Sequence, residues 1–200
     1  MIFIAGLHYA GKTHFAKFLE EEGFPFIDLG PTLRNIWETT SSHLSFGDFI
    51  RPGEGNLGNN FIDELLSAEV SKRLRQLEEE GSNKDLLIVG SRSIAGIEFI
   101  RSNCPEINGR KQVVIYIEAN ETTLYSRCCQ KDSTPITLSK FKQVLEKDRQ
   151  MGVEAIREIA NFVIDNDGSL GEFEQKIESL IFNALGFERI TKKRGKERDI

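Results

Sequence analysis

The 200-residue sequence predicts an α/β protein: a three-layer α/β/α sandwich around a five-stranded parallel sheet. Two observations predict it. Short apolar runs, rich in β-branched or aromatic residues, alternate along the chain with longer segments of helical period. The runs are apolar at consecutive rather than alternate positions, as expected of strands covered on both faces. Strands alternating with helices fold into a parallel sheet with helices on either side.

The expected strands are Ile2–Ala5, Pro25–Asp28, Leu86–Gly90, Gln112–Glu118 and Phe162–Asp165. Helical periodicity covers Lys12–Glu22, Thr32–Thr40, Asn60–Glu80, Ile94–Asn103, Glu121–Gln130, Leu138–Ala160 and Leu170–Leu185. Local chemistry supports several ends. Ser169 with Glu172 three residues on is a capping box, each satisfying a free amide of the first helical turn. Asn120 can cap the helix that follows it, and Gly186 can close the last one. Two stretches interrupt the alternation: glycine-rich Ser41–Gly58 and the polar break Lys131–Thr137. The expected organisation is one domain, residues 1–186, with an acceptor-side insertion at about 31–80, a short lid at about 131–137, and a basic tail at 187–200.

Bulk composition narrows the function classes. A formal net charge of -5 argues against broad nucleic-acid binding, although the tail is locally basic. Cys104, Cys128 and Cys129 form neither a disulfide framework nor a zinc pattern, which fits reduced thiols. No basic leader and no run of about 20 apolar residues occurs, so the expected location is cytoplasmic, with no membrane partner.

The strongest local signal is GLHYAGKT, residues 6–13, between an apolar run and a helical segment. Two glycines four residues apart, followed by Lys and Thr, are the pattern of a phosphate-binding loop. By chance it would arise in fewer than about 2% of chains this long, and its strand-to-helix context is the one the mechanism requires. Gly6 and Gly11 let the backbone turn and approach phosphate oxygens, with Ala10, His8 and His14 beside them. The amides at the helix head then face an anion favoured by the helix dipole. Lys12 would bridge the outer phosphates of ATP, and Thr13 would offer its hydroxyl to Mg²⁺. His8 reads as a catalytic group, as part of the loop's geometry, or as a contact to the acceptor pocket.

Residues 1–186 resemble the nucleoside monophosphate kinase superfamily, near small adenylate-kinase-like and dephospho-CoA-kinase-like proteins. Besides GLHYAGKTHFAKFLEEEGF, the resemblance rests on IVGSRSIAGIEFIR at 88–101 and EKDRQMGVEAIREIANFVIDNDGSLGEFEQKI at 146–177. It implies a P-loop phosphotransferase using ATP and Mg²⁺, a small-molecule nucleotide acceptor, and a monomer or homodimer. Phosphoryl transfer needs positioning and positive charge more than covalent help, so arginines from separate segments should converge. Arg34 and Arg51 lie where the resemblance puts the acceptor; Arg92 follows the third strand, where it would meet both substrates. Arg127 and Lys131 flank the expected lid, and Arg149 lies on the helix after it. Each also reads as an ordinary solvated or salt-bridged side chain.

One position departs from the resemblance. Val89 stands where the family carries an Asp that orients the metal. Either Mg²⁺ relies on Thr13, phosphates and water, or Asp28 supplies the charge, or the protein binds nucleotide and turns it over poorly. Asp28 also bears on the acceptor. A phosphate acceptor needs only arginines, whereas a hydroxyl needs a carboxylate to take its proton. Asp28 reads equally as a cap for the following helix. The expected activity is transfer of the γ-phosphate to a nucleoside monophosphate. The alternatives are transfer to a ribose hydroxyl, as in dephospho-CoA, and an ATP-binding regulator of weak activity.

Overall fold

A computed structural model describes residues 1–50, 60–104, 112–131 and 136–189. Arg51, residues 132–135 of the expected lid, the Lys131 side chain and residues 190–200 of the tail lie outside that description.

Five parallel strands form one sheet: β1 (Ile2–Ala5), β2 (Phe26–Asp28), β3 (Leu87–Val89), β4 (Val113–Glu118) and β5 (Phe162–Asp165), in the order β2-β3-β1-β4-β5. β1 is central, pairing Ile2 with Leu87 on one side and Val113 on the other. All four of its residues are at most 1% exposed, which explains their unbroken apolar sequence. From β1 the chain moves out through β2 and β3 on one side and later through β4 and β5 on the other. The sheet therefore switches direction beside β1, where parallel sheets open a crevice at the carboxyl ends of their strands.

The helices are α1 (Lys12–Glu20), α2 (Leu29–Thr40), α3 (Phe46–Phe49), α4 (Phe61–Glu79), α5 (Ile94–Asn103), α6 (Glu121–Lys131), α7 (Leu138–Gln150), α8 (Ile156–Ile159) and α9 (Leu170–Glu178). Phe3, Phe15, Leu19, Ile88, Ile97, Ile115, Phe141 and Ile177 belong to one buried core. The Ser169–Glu172 capping box and the Asn120 bond to the amide of Thr123 form as expected.

Four expectations need correction. β2 is only half-buried, and Val163 of β5 is 40% exposed, because both are edge strands covered on fewer sides. The segment Leu138–Ala160 is two helices: Gly152, at φ 89, ends α7 before α8 begins. The last helix is regular only to Glu178 and then widens into a π-helical turn, Ser179–Ala184. The glycine-rich stretch contains the short α3, capped by Ser45.

Candidate active site

The carboxyl ends of β1, β2 and β3 meet the loop 6–11 around a cavity of about 490 Å³. Its walls include Gly6, His8, Gly11, Lys12, Thr13, His14, Asp28, Arg34, Arg92 and Arg127. Segments far apart in sequence thus converge because parallel strands all end on the same edge.

The loop is unusual in its backbone. Gly6, Tyr9 and Gly11 have φ of 145, 66 and 109. Tyr9 adopts a left-handed conformation that side chains seldom take, and its ring is wedged against Phe141 with centroids 6.3 Å apart. At Gly11 a Cβ would sit 2.5 Å from Nδ2 of Asn166, so no larger residue fits. Asn166 is 3% exposed and donates Nδ2–H to the carbonyl of Ala10 at 2.8 Å, fixing the turn into α1 from β5. Ala10 itself is buried under the loop and supports it rather than lining the cavity. The ammonium of Lys12 folds back over the loop, donating to the carbonyls of Gly6 at 2.8 Å and Leu7 at 2.7 Å.

Opposite the loop, Asp28 ends β2 and caps α2, its Oδ1 accepting from the amide of Gly30 at 3.2 Å. Both readings of Asp28 therefore coexist, since a capping carboxylate can still face the cavity. Gly90, at φ 89, lets the neighbouring strand pass close: a Cβ there would lie 3.4 Å from Asp28 Oδ1. Val89 is 1% exposed and packs in the core, so its side chain is not part of the cavity wall. The residues that line the cavity on this side, Gly90, Ser91 and Arg92, follow the end of β3. Arg34, one turn into α2, lays its guanidinium 4.8 Å from the centre of the Phe46 ring.

Arg127 reaches across from α6, donating Nη2–H to the carbonyl and side chain of Asn166 at 2.7 and 3.2 Å. Burial pulls its guanidinium below the usual range, and nearby Asp167 pushes it back up. His14 pairs with Glu174 at 2.9 Å. Arg149 is not brought to the cavity. It is held on the surface by Glu121 at 2.6 Å and Glu154 at 3.0 Å, contacts that raise its pKa.

The residue beside it was missed. Asp148 is 2% exposed and lines the cavity. Its Oδ2 accepts from the amide of His8 at 2.8 Å and meets His8 Nδ1 at 2.6 Å, while Oδ1 lies 3.6 Å from Arg92 Nη1. Burial pushes this carboxyl up, but the bonds from His8 and the charge of Arg92 outweigh it and hold it below the ordinary carboxylate value. A signal was present: Phe141, Leu145 and Asp148 share the buried stripe of α7, where a carboxylate has no business unless paired.

The cavity carries Lys12, Arg34, Arg92 and Arg127 against Asp28 and Asp148, so a chain of net charge -5 presents a cationic pocket. Ser91 Oγ and Arg127 Nη1 are buried in its wall without a hydrogen-bond partner among the described residues. Phosphate oxygens would satisfy both, so the residues present fit a polyphosphate. For Mg²⁺ the hydroxyl of Thr13 fits, with phosphate oxygens and water completing the shell.

No family model matches the chain. It is 25% identical over 184 residues to UPF0200 protein MK0400 of Methanopyrus kandleri, covering 90% of this chain and 88% of that protein. To UPF0200 protein SSO1041 of Saccharolobus solfataricus it is 23% identical over 190 residues, covering 92% and 94%. Solved structures of similar fold include a shikimate kinase from Acinetobacter baumannii in complex with shikimate (TM-score 0.55, 19% identity, 94% of each chain). A gluconokinase from Sinorhizobium meliloti is also similar (TM-score 0.54, 16% identity, 88% of this chain and 87% of that one). Sheet order, phosphate loop and these likenesses agree: the chain has the fold of the P-loop kinases.

Proposed function

We propose that the protein transfers the γ-phosphate of ATP, as its Mg²⁺ complex, to a small anionic acceptor. The observation that carries this reading is the convergence of the loop, its lysine and three arginines from separate segments on one cavity. The amides at the head of α1 and Lys12 would hold the donor phosphates, and Thr13 the metal. Mg²⁺, where Thr13 would hold it, would supply positive charge to the donor phosphates. Arg127, fixed by Asn166, would offer its Nη1, which has no hydrogen-bond partner among the described residues, to charge that develops during transfer. Arg34 and Arg92 would bind the acceptor's anionic group. Arg149, tied to two glutamates, is left out.

The acceptor was expected to be a nucleoside monophosphate. Asp28 favours a second reading, a hydroxyl acceptor that carries an anionic group elsewhere, because a carboxylate in the acceptor half of the cavity can take a hydroxyl proton. The similar shikimate kinase and gluconokinase agree with that choice. The test is ADP release by the purified chain across monophosphates, dephospho-CoA and small hydroxy acids. Lys12→Ala should abolish transfer to every acceptor. Asp28→Asn should slow transfer to a hydroxyl by about 10²–10⁴-fold and leave transfer to a phosphate within a few-fold. No ADP release above the Lys12→Ala control with any acceptor would refute the phosphotransfer reading.

A further inference from the structure

His8 stands at the third position of the loop, 40% exposed at its side chain, with its ring in the cavity wall. Its amide and its Nδ1 converge on one oxygen of Asp148, a residue 140 positions away in sequence. An ionised carboxylate can only accept, so Nδ1 carries a proton and Nε2, on the opposite edge of the ring, is the nitrogen left for other work. Taking Asp148 out of water is costly, and a carboxylate in the α7 stripe is offset only by the partners it holds. The carboxylate makes sense if the fold needs this imidazole oriented.

The charged groups around His8 come from every neighbouring element. Asp148 lies below it on α7 and Arg92 beyond, from the β3–α5 turn; Lys12 is at the head of α1, with Asp28, Arg34 and Arg127 in the remaining walls. Under the phosphotransfer reading, the amides at the head of α1 hold the inner phosphates. His8 is on the side of the loop linked through Asp148 to Arg92, the side that the phosphotransfer reading gives to the acceptor.

We propose that His8, as an imidazolium held by Asp148, donates Nε2–H to the terminal phosphate of a bound nucleoside triphosphate, with Asp148 as its positioning residue. This rests on the phosphotransfer reading of the cavity but not on the acceptor. With Nδ1–H committed to Asp148, Nε2 can donate only while the ring is protonated, so the contact weakens once the ring loses that proton.

The experiment is calorimetric titration of the full chain with Mg·ATP and Mg·ADP from pH 5.5 to 8.5, for the wild type, His8→Gln and Asp148→Asn. Comparing the variants removes the nucleotide's own protonation. The preference for ATP over ADP in the wild type, relative to His8→Gln, should fall about tenfold across this range, the worth of one charge-assisted hydrogen bond. ADP affinity should be little changed by His8→Gln, since ADP lacks the phosphate concerned. In Asp148→Asn the preference for ATP should drop toward that of His8→Gln, because the ring has lost the carboxylate that orients it. Identical pH curves for wild type and His8→Gln, or equal losses of ATP and ADP affinity, would overturn the proposal while leaving the loop's role intact. If neither nucleotide binds the wild type at any pH, the phosphotransfer reading falls and this inference with it.

Discussion

Asp148 is a carboxylate taken almost wholly out of water, yet its proton is held less tightly than usual. Burial alone would do the opposite, so the two bonds from His8 and the charge of Arg92 must more than offset desolvation. A folded-state pKa below the unfolded value stabilises the fold above the ordinary carboxylate range, and that contribution is lost as pH falls through the folded value. Asparagine at this position keeps the size and one acceptor but loses the charge. Because both partners keep about two-fifths of their side chains in solvent, the loss should be at the low end for charged hydrogen bonds, about 1–2 kcal/mol near neutral pH. Urea unfolding of wild type and Asp148→Asn should show that gap at pH 7 and a gap that narrows in acid, as pH falls below the ordinary carboxylate value and through the lower folded-state value of Asp148. A gap that stays constant down to pH 2.5 would mean that the carboxylate's charge is not what holds the loop.

At the scale of the elements, capping is as important as apolar pattern. The capping box at Ser169 starts α9, and α9 lays Phe173 against Gly11 and His14 at the loop. Ser169→Ala should cost about 1 kcal/mol, or roughly 2–4 °C in melting temperature for a domain this large, measured by circular dichroism. A loss beyond about 3 kcal/mol would mean that the cap also braces the loop. The same logic explains what could be read from the sequence. Central strands were plain because β1, β3 and most of β4 are buried on both faces; edge strands keep the apolar run but not the burial. The break in the long segment after Leu138 was hidden because Gly152 sits within a continuing helical period, and only its left-handed backbone reveals the stop. The loop, Asp28, Arg34, Arg92 and Arg127 were legible because parallel strands deliver their carboxyl-end residues to one edge. Arg149 was not, for a reason of rotation. Adjacent residues on a helix point about 100° apart, so Asp148 enters the cavity and Arg149 meets Glu121 on the surface. Asn166 was not legible either: its bond to Ala10 depends on β5 lying beside β4, which no local pattern encodes.

For the molecule as a whole, charge is partitioned: a net acidic chain folds so that Lys12, Arg34, Arg92 and Arg127 gather at one end of the sheet. Bringing those cations together costs stability, as does leaving Ser91 Oγ and Arg127 Nη1 buried without partners. A polyanion that supplies acceptors relieves both costs at once, and it can do so only in the folded state. Ligand binding should therefore appear as global stability, not merely as local order. At about 100 times its dissociation constant, Mg·ATP adds about 2.7 kcal/mol. For a domain of this length that corresponds to a rise of roughly 5–10 °C in melting temperature. Lys12→Ala should melt close to the free wild type and show little further rise with Mg·ATP. Inorganic sulfate at matched ionic strength should give a smaller rise in the wild type, since it satisfies fewer donors. Equal shifts for Mg·ATP and sulfate would mean that the cavity collects anions without selecting a triphosphate. An unshifted wild type at millimolar Mg·ATP would remove the loop from consideration as a nucleotide site.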